Sequence, residues 1–331
     1  MDKDNNMLKL SVITTLYNSA GYMRKCIDSL LDQDLAPGEY EIILVNDGSP
    51  DDSLSIANGY AEKFGNVSVV SYAENRGLAG ARQAGTDAAQ GKYLCYVDPD
   101  DYVLPNSFSQ LIERMERDSL DVLRFDYRMV DGNYSPVPKP KDARIIDYSA
   151  GVMNGRDFLC RRLGYACFVW AFIYRTSVIR DSGVLFSQGD YFDDTAWLPR
   201  ILCAAGRVDC TDTVRYFYLQ RQGSLVNTVS KEKTIAKMDA QMVLIIKLME
   251  LWNADRTIVW YREMVSKTVL SVLTDAACCC YDNCGAFIDE LKDCGVFPIG
   301  GSILTFKARL KYMLINISPK LFCTLVHLAN R

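Results

Sequence analysis

The hydrophobic pattern of the first hundred residues switches period at regular intervals. Leu10 to Thr15 reads as a buried strand, Ala20 to Leu31 as a helix with apolar residues at helical spacing, and Glu41 to Val45 as a second strand. A helix over Asp52 to Phe64 and a strand over Val67 to Tyr72 follow, then a helix over Leu78 to Ala89 and a strand over Tyr93 to Val97. Strands alternating with helices at this spacing predict a doubly wound α/β architecture of parallel strands joined by right-handed crossovers. In such sheets ligands bind beyond the carboxyl ends of the strands. Tyr17 and Asn18 follow the first strand, Asp47 the second and Asp98 the fourth, so all of them are expected on one edge.

Beyond Leu111 the pattern is less regular. It carries a Pro/Lys-rich loop (Ser135 to Lys141), an aromatic stretch (Phe168 to Tyr174) and an acidic cluster (Asp190, Asp193, Asp194). After Ser230 it becomes helical, with Ile235 to Leu251 and Val259 to Leu273 the clearest segments. The 331 residues, 49% of them apolar, suffice for one large core or two modest ones.

Composition narrows the chemistry. Met1 to Leu10 contains no apolar core of a secretory signal, and no run approaches the ~18 apolar residues of a membrane span. A cytoplasmic location is therefore expected, peripheral on the inner face of the membrane if it is attached at all. The twelve cysteines include no C-x-x-C pair, and reduced, mostly buried thiols are expected. The single histidine, His327, lies near the end of the chain, so acid–base chemistry falls to carboxylates. After the first strand comes Thr15-Leu16-Tyr17-Asn18, without the glycines of a dinucleotide fold or the lysine of a P-loop.

Asp98-Pro99-Asp100-Asp101 directly follows an apolar strand. Acids so placed repel one another and lose hydration, a cost that a bound cation offsets, and hard oxygen ligands favour Mg²⁺ or Mn²⁺. The same tetrapeptide is also good chemistry for a solvated turn.

At this point the sequence resembles the family 2 glycosyltransferases, which have a GT-A fold. The matching stretches are Ser11 to Asn18, Ile43 to Ser49, Glu74 to Arg82 and Tyr96 to Asp101, in the same order and spacing. The resemblance implies a GT-A Rossmann-like, mostly parallel sheet with a helical C-terminal extension. Residues 1–110 would form the nucleotide-sugar half, 111–225 the acceptor-binding and catalytic half, and 226–331 the helical region. It implies an inverting transfer of a hexosyl or N-acetylhexosaminyl group from a UDP-sugar to a glycan or lipid-linked acceptor, with Mn²⁺ or Mg²⁺ as cofactor.

Tyr17 would lie against the base and Asp47 would accept the uracil N3–H, with Thr15, Asn18 and Arg76 in the same donor set. Arg82 would approach the donor base or phosphates. Asp100 would hold the metal, with Asp98 assisting it or binding sugar hydroxyls. Thr15 and Gln83 depart from the family's usual proline and asparagine. Asp194, with Asp193 next, resembles the acidic pair that supplies the base; helix capping near Thr195 is the alternative role. Arg221 would close over the diphosphate, and Trp170 resembles an aromatic near the acceptor pocket, although a core role is as natural for a tryptophan.

Two rival classes are a sugar-1-phosphate nucleotidyltransferase and a non-catalytic glycan-binding scaffold with a degenerate donor site. The first wants a Gly-rich basic loop after the first strand, which is absent here, and the intact acids weigh against the second. The tail stands apart. All 41 acidic residues lie at or before Asp293 and five of the 37 basic ones after it, so the net charge of −4 divides into −9 and +5. Ile303, Phe306, Leu310, Met313, Leu314 and Ile317 form one helical stripe beside Lys307 and Lys311. Such a helix suits an anionic membrane or a docking face on the acidic body. Nucleic acid is not an expected partner.

Overall fold

The computed structural model describes residues 8–139, 148–149, 151–187, 192–220, 230–301 and 306–330. The chain divides into two compact units, Met1–Arg221 and Gln222–Arg331.

The first unit is built on one sheet. In chain order its elements are β1 (Leu10–Leu16), α1 (Met23–Leu31), β2 (Tyr40–Asp47), α2 (Ser53–Lys63), β3 (Val67–Tyr72), α3 (Gly77–Ala88), β4 (Tyr93–Tyr96), β5 (Tyr102–Val103) and α4 (Phe108–Arg117). They continue as β6 (Val122–Val130), β7 (Pro136–Val137), α5 (Gly155–Arg161), β8 (Phe172–Arg175), α6 (Thr176–Ser182), α7 (Asp193–Ala204) and β9 (Val208–Leu219). The strand order is β3-β2-β1-β4-β8-β6-β9-β5, with β7 beside β6.

The half from β3 to β4 is parallel throughout, with Leu10 beside Tyr40 and Ile13 beside Tyr96. Every residue of β1 and β4 is buried, as expected of strands covered on both faces. Gly85 lets α3 lie against the sheet: a Cβ there would come within 2.3 Å of Ile13 Cγ2. The other half is mixed. β8 runs antiparallel to β4 and β6, while β9 pairs in parallel with β6 and antiparallel with β5. The pattern over residues 1–97 therefore locates the parallel half, whereas the second half departs from simple alternation through short strands and a long β9.

The second unit is helical: α8 (Lys231–Ala254), α9 (Val259–Cys279), α10 (Cys284–Asp293), α11 (Phe306–Ile317) and α12 (Pro319–Ala329). Its core is lined by Leu248, Val265, Val272, Leu273 and Ile315. No helix among the described residues is long and apolar enough to cross a membrane. All twelve cysteines are free thiols; six are buried and one, Cys278, is exposed.

Candidate active site

The carboxyl edge of the parallel half begins with β1 and β2. Tyr17, 52% exposed, and Asn18, held at φ 52°, turn the chain away from β1, and Ser19 Oγ accepts the Tyr17 N–H at 3.2 Å. Thr15 is buried one turn of the pleat earlier. Asp47, the last residue of β2, is buried and accepts the Arg76 backbone N–H on Oδ1 at 2.7 Å. Its backbone carbonyl accepts from Asn75 Nδ2 at 3.2 Å. The loop before α3 is thus folded onto the end of β2. Gly48 permits this approach: at φ 65° its missing Cβ would stand 2.9 Å from Asn75 N. The Arg76 side chain is exposed and its guanidinium lies 3.7 Å from the Tyr72 ring centroid.

The centre of the site is Arg82, on α3 and 3% exposed. The resemblance directs it toward the donor base or phosphates; in the structure its guanidinium is taken up by three carboxylates. Nη1 donates to Asp193 Oδ2 at 2.8 Å and to Asp194 Oδ1, and Nη2 donates to Asp98 Oδ1 at 3.2 Å. One cation therefore joins the end of β4 to the start of α7, and the group carries a net negative charge. Burial opposes the guanidinium charge, yet the three carboxylates outweigh it and hold Arg82 well above its ordinary pKa.

Asp193 and Asp194 are the first two residues of α7, which starts two residues earlier than the sequence pattern implies, with Phe192 at the N-cap and no side-chain cap bond. Acids in that first turn face the positive end of the helix dipole. Asp193 is buried, and Asp194 is partly open to solvent. The second oxygen of Asp194 accepts the Val169 N–H at 3.2 Å. Burial raises its pKa, Arg82 lowers it, and Asp193 and Asp98 raise it again, leaving it at about 7. Burial likewise raises Asp98 against the pull of Arg82.

The turn after β4 is not merely solvated. Asp101 is buried; its Oδ2 accepts the Tyr216 hydroxyl at 2.6 Å and its Oδ1 accepts the Leu219 N–H at 2.8 Å. The same Tyr216 oxygen accepts the Asp98 N–H at 3.1 Å. β9 therefore clamps the turn through Asp101, leaving Asp98 and Asp100 half-exposed. Sequence reasoning assigned no role to Asp101 or Tyr216. The one signal was a third carboxylate within four residues of a buried strand, more than a turn needs.

Two adjacent half-exposed carboxylates in a net negative cluster fit a hard divalent cation. Among the described residues no group of three His, Cys, Asp or Glu side chains could enclose one. A cation at Asp98 and Asp100 would therefore complete its shell with substrate phosphates and water. Beside the clamp lies an aromatic layer. Trp170 is buried between Phe168 and Tyr216, with ring centroids 4.8 and 4.3 Å away, and so forms its core. Phe168 and Tyr218 are half-buried, with centroids 6.2 Å apart. Asp190 and Arg221 lie outside the described residues.

Sheet order, site edge and clamped carboxylate turn match what the resemblance to GT-A glycosyltransferases leads one to expect. The sequence profile described as glycosyl transferase family 2 matches residues 11–182, and the chain belongs to that family. Among relatives, the glycosyltransferase YibD of Escherichia coli K12 is 31% identical over 268 residues, covering 77% of this chain and 75% of YibD. The poly(ribitol-phosphate) beta-N-acetylglucosaminyltransferase TarS of Staphylococcus aureus is 26% identical over 252 residues, 75% of this chain and 41% of TarS. The crystal structure of TarS 1-349 with UDP-GlcNAc superposes with a TM-score of 0.73 at 21% identity, covering 97% of this chain and 90% of that one. The mannosyltransferase PcManGT of Pyrobaculum calidifontis, solved with GDP-Man and Mn²⁺, gives a TM-score of 0.53 at 14% identity over 98% of this chain and 88% of that one.

Proposed function

We propose that this glycosyltransferase moves a hexosyl or N-acetylhexosaminyl group, with inversion, from a UDP-sugar to a hydroxyl of a glycan or lipid-linked acceptor. The reading places the work in cell-surface polysaccharide or glycolipid synthesis, on the cytoplasmic side of the membrane. The observation that carries it is the Arg82 cluster, which holds the donor-side Asp98 and the acidic pair of α7 around one guanidinium. The UDP-GlcNAc complex of TarS supports UDP as the nucleotide, and the GDP-Man and Mn²⁺ complex of PcManGT supports a divalent cation.

In this reading Tyr17 lies against the uracil, and Asp47, Asn18, Thr15 and Arg76 frame the nucleoside. Asp100, with Asp98, would hold Mn²⁺ or Mg²⁺, and the bound cation would offset the charge on the departing diphosphate. Arg82, committed to three carboxylates, positions rather than binds phosphate. Asp194 receives the acceptor proton as that hydroxyl attacks the anomeric carbon from the face opposite the leaving UDP. A carboxylate at about 7 suits this task, since about half of it is ionised at neutral pH and it is more basic than an ordinary aspartate. Asp193, buried behind it, fixes the guanidinium.

A panel of UDP-sugars with Mn²⁺, starting from UDP-GlcNAc and followed for slow donor hydrolysis, tests the reading without an acceptor. Asp100→Ala should abolish metal-dependent turnover while the fold stays intact by circular dichroism. Stabilisation by UDP and Mn²⁺ with neither hydrolysis nor transfer from any donor would move the protein to a binding role.

A further inference from the structure

The helical periodicity of the tail identifies an apolar stripe, and the structure shows which way it faces. On α11 the second unit buries Tyr312 and Ile315, while Leu310, Met313 and Ile317 are 45–71% exposed. These three are spaced i, i+3 and i+7, on one side of the helix and away from the buried pair. α12 repeats the arrangement: Phe322 and Cys323 are buried, while Leu321, Leu325 and Leu328 are 46–60% exposed at i, i+4 and i+7. Each of two consecutive helices therefore docks one face and turns an apolar row to solvent. Isolated exposed leucines are ordinary, but an apolar row on each of two successive helices is not.

The charges beside these rows have one sign. Lys307, Arg309 and Lys311 flank the row on α11 and are exposed, as is Lys320 at the start of α12. No acidic residue follows Asp293. Two copies of this face laid together would set lysines and arginines against one another. An anionic bilayer has the opposite sign at its surface and accepts apolar side chains just beneath it.

We propose that α11 and α12 form a peripheral docking surface for an anionic lipid bilayer. Leu310, Met313, Ile317, Leu321, Leu325 and Leu328 enter the headgroup–acyl boundary, and the four basic residues meet the lipid phosphates. The inference rests on the membrane-side location proposed above and gives it a surface. It also accounts for action on a lipid-linked acceptor with no spanning helix among the described residues, because docking confines the enzyme to the layer that holds the substrate.

The full chain is to be sedimented with vesicles of phosphatidylglycerol mixed with phosphatidylcholine, and with vesicles of phosphatidylcholine alone. Co-sedimentation with the first, weakened by salt, is the expected result. Replacing Lys307 and Lys311 by Gln should weaken it about fivefold per residue removed. The exposed substitutions Leu310→Ser and Ile317→Ser should abolish it, while Val243→Ser, an equally exposed position on α8, should leave it unchanged. No binding to anionic vesicles, equal binding to both vesicle types, or a self-association lost in Leu310→Ser without vesicle binding would overturn the proposal. Donor hydrolysis measured in the same preparations without vesicles reports on the catalytic reading separately.

Discussion

A guanidinium removed from water loses several kcal/mol of hydration, and Arg82 recovers that loss from Asp98, Asp193 and Asp194. Arg82→Ala would leave three carboxylates, one fully buried, with no counter-charge. The expected cost is about 3–5 kcal/mol, a fall in Tm on the order of 10 °C by calorimetry. Asp194 gives two pH-dependent expectations. Its folded pKa of about 7 lies above the ordinary aspartate value of about 4, so the folded state holds this proton more tightly than the unfolded chain. Stability should therefore decline as pH rises through that window, and Asp194→Asn should flatten the decline. Transfer, by contrast, needs the ionised form and should rise with pH to a plateau above about 7, with the titration shared across the cluster. An acid limb near pH 4 would remove Asp194 from the role of base. Asp194→Asn should slow transfer by at least about 100-fold while UDP binding, measured by titration calorimetry, stays close to wild type.

At the level of elements, what was legible in the sequence follows from how local each signal is. β3 begins and ends where the pattern puts it, at Val67 and Tyr72, and β1, β2 and α3 shift by one or two residues. Buried parallel strands and their crossover helices write their periods directly into adjacent residues. β5 and β7 have two residues each, too short to show a period, and β6 shifts register against β9 around Asp126. Asp101 and Tyr216 meet across 115 residues, a separation that no local pattern encodes. The placement of Asp47 and Asp98 at strand ends was legible because it follows from adjacent residues; the grip of Arg82 on the α7 acids was not, because it is a tertiary contact. Of the tail stripe, Leu310, Met313 and Ile317 share one exposed side of α11, while Ile303 and the Phe306 side chain lie outside the described residues; periodicity alone cannot say whether such a row is covered. Glycine gives this scale its test. Gly48→Ala should cost about 1–3 kcal/mol and weaken UDP binding, since φ 65° and a contact at 2.9 Å both oppose a Cβ. Gly59→Ala, in the exposed middle of α2 with nothing within 4 Å, should instead stabilise by about 0.5–1 kcal/mol in the same denaturation experiment.

For the whole molecule, ligand binding is read as stability. UDP with Mn²⁺ at a hundred times its Kd should stabilise the folded chain by about 2.7 kcal/mol, and a chelator should reverse the metal-dependent part of the Tm shift. The same measurement on Asp100→Ala should show UDP alone performing as well as UDP with Mn²⁺. The Arg82 cluster also sets an order of events in time. Arg82 and Asp194 are 112 residues apart, so the guanidinium reaches the acids of α7 only after a long stretch of chain has closed upon itself. Until then Asp193 and Asp194 repel each other, and nothing local draws them toward β4. Helices and the parallel half of the sheet can form from near neighbours, whereas the site needs the distant ones. A refolding chain should therefore regain its far-ultraviolet signal before its ability to hydrolyse donor, and the interval between the two would time the closing of the distant contacts, that of Arg82 among them.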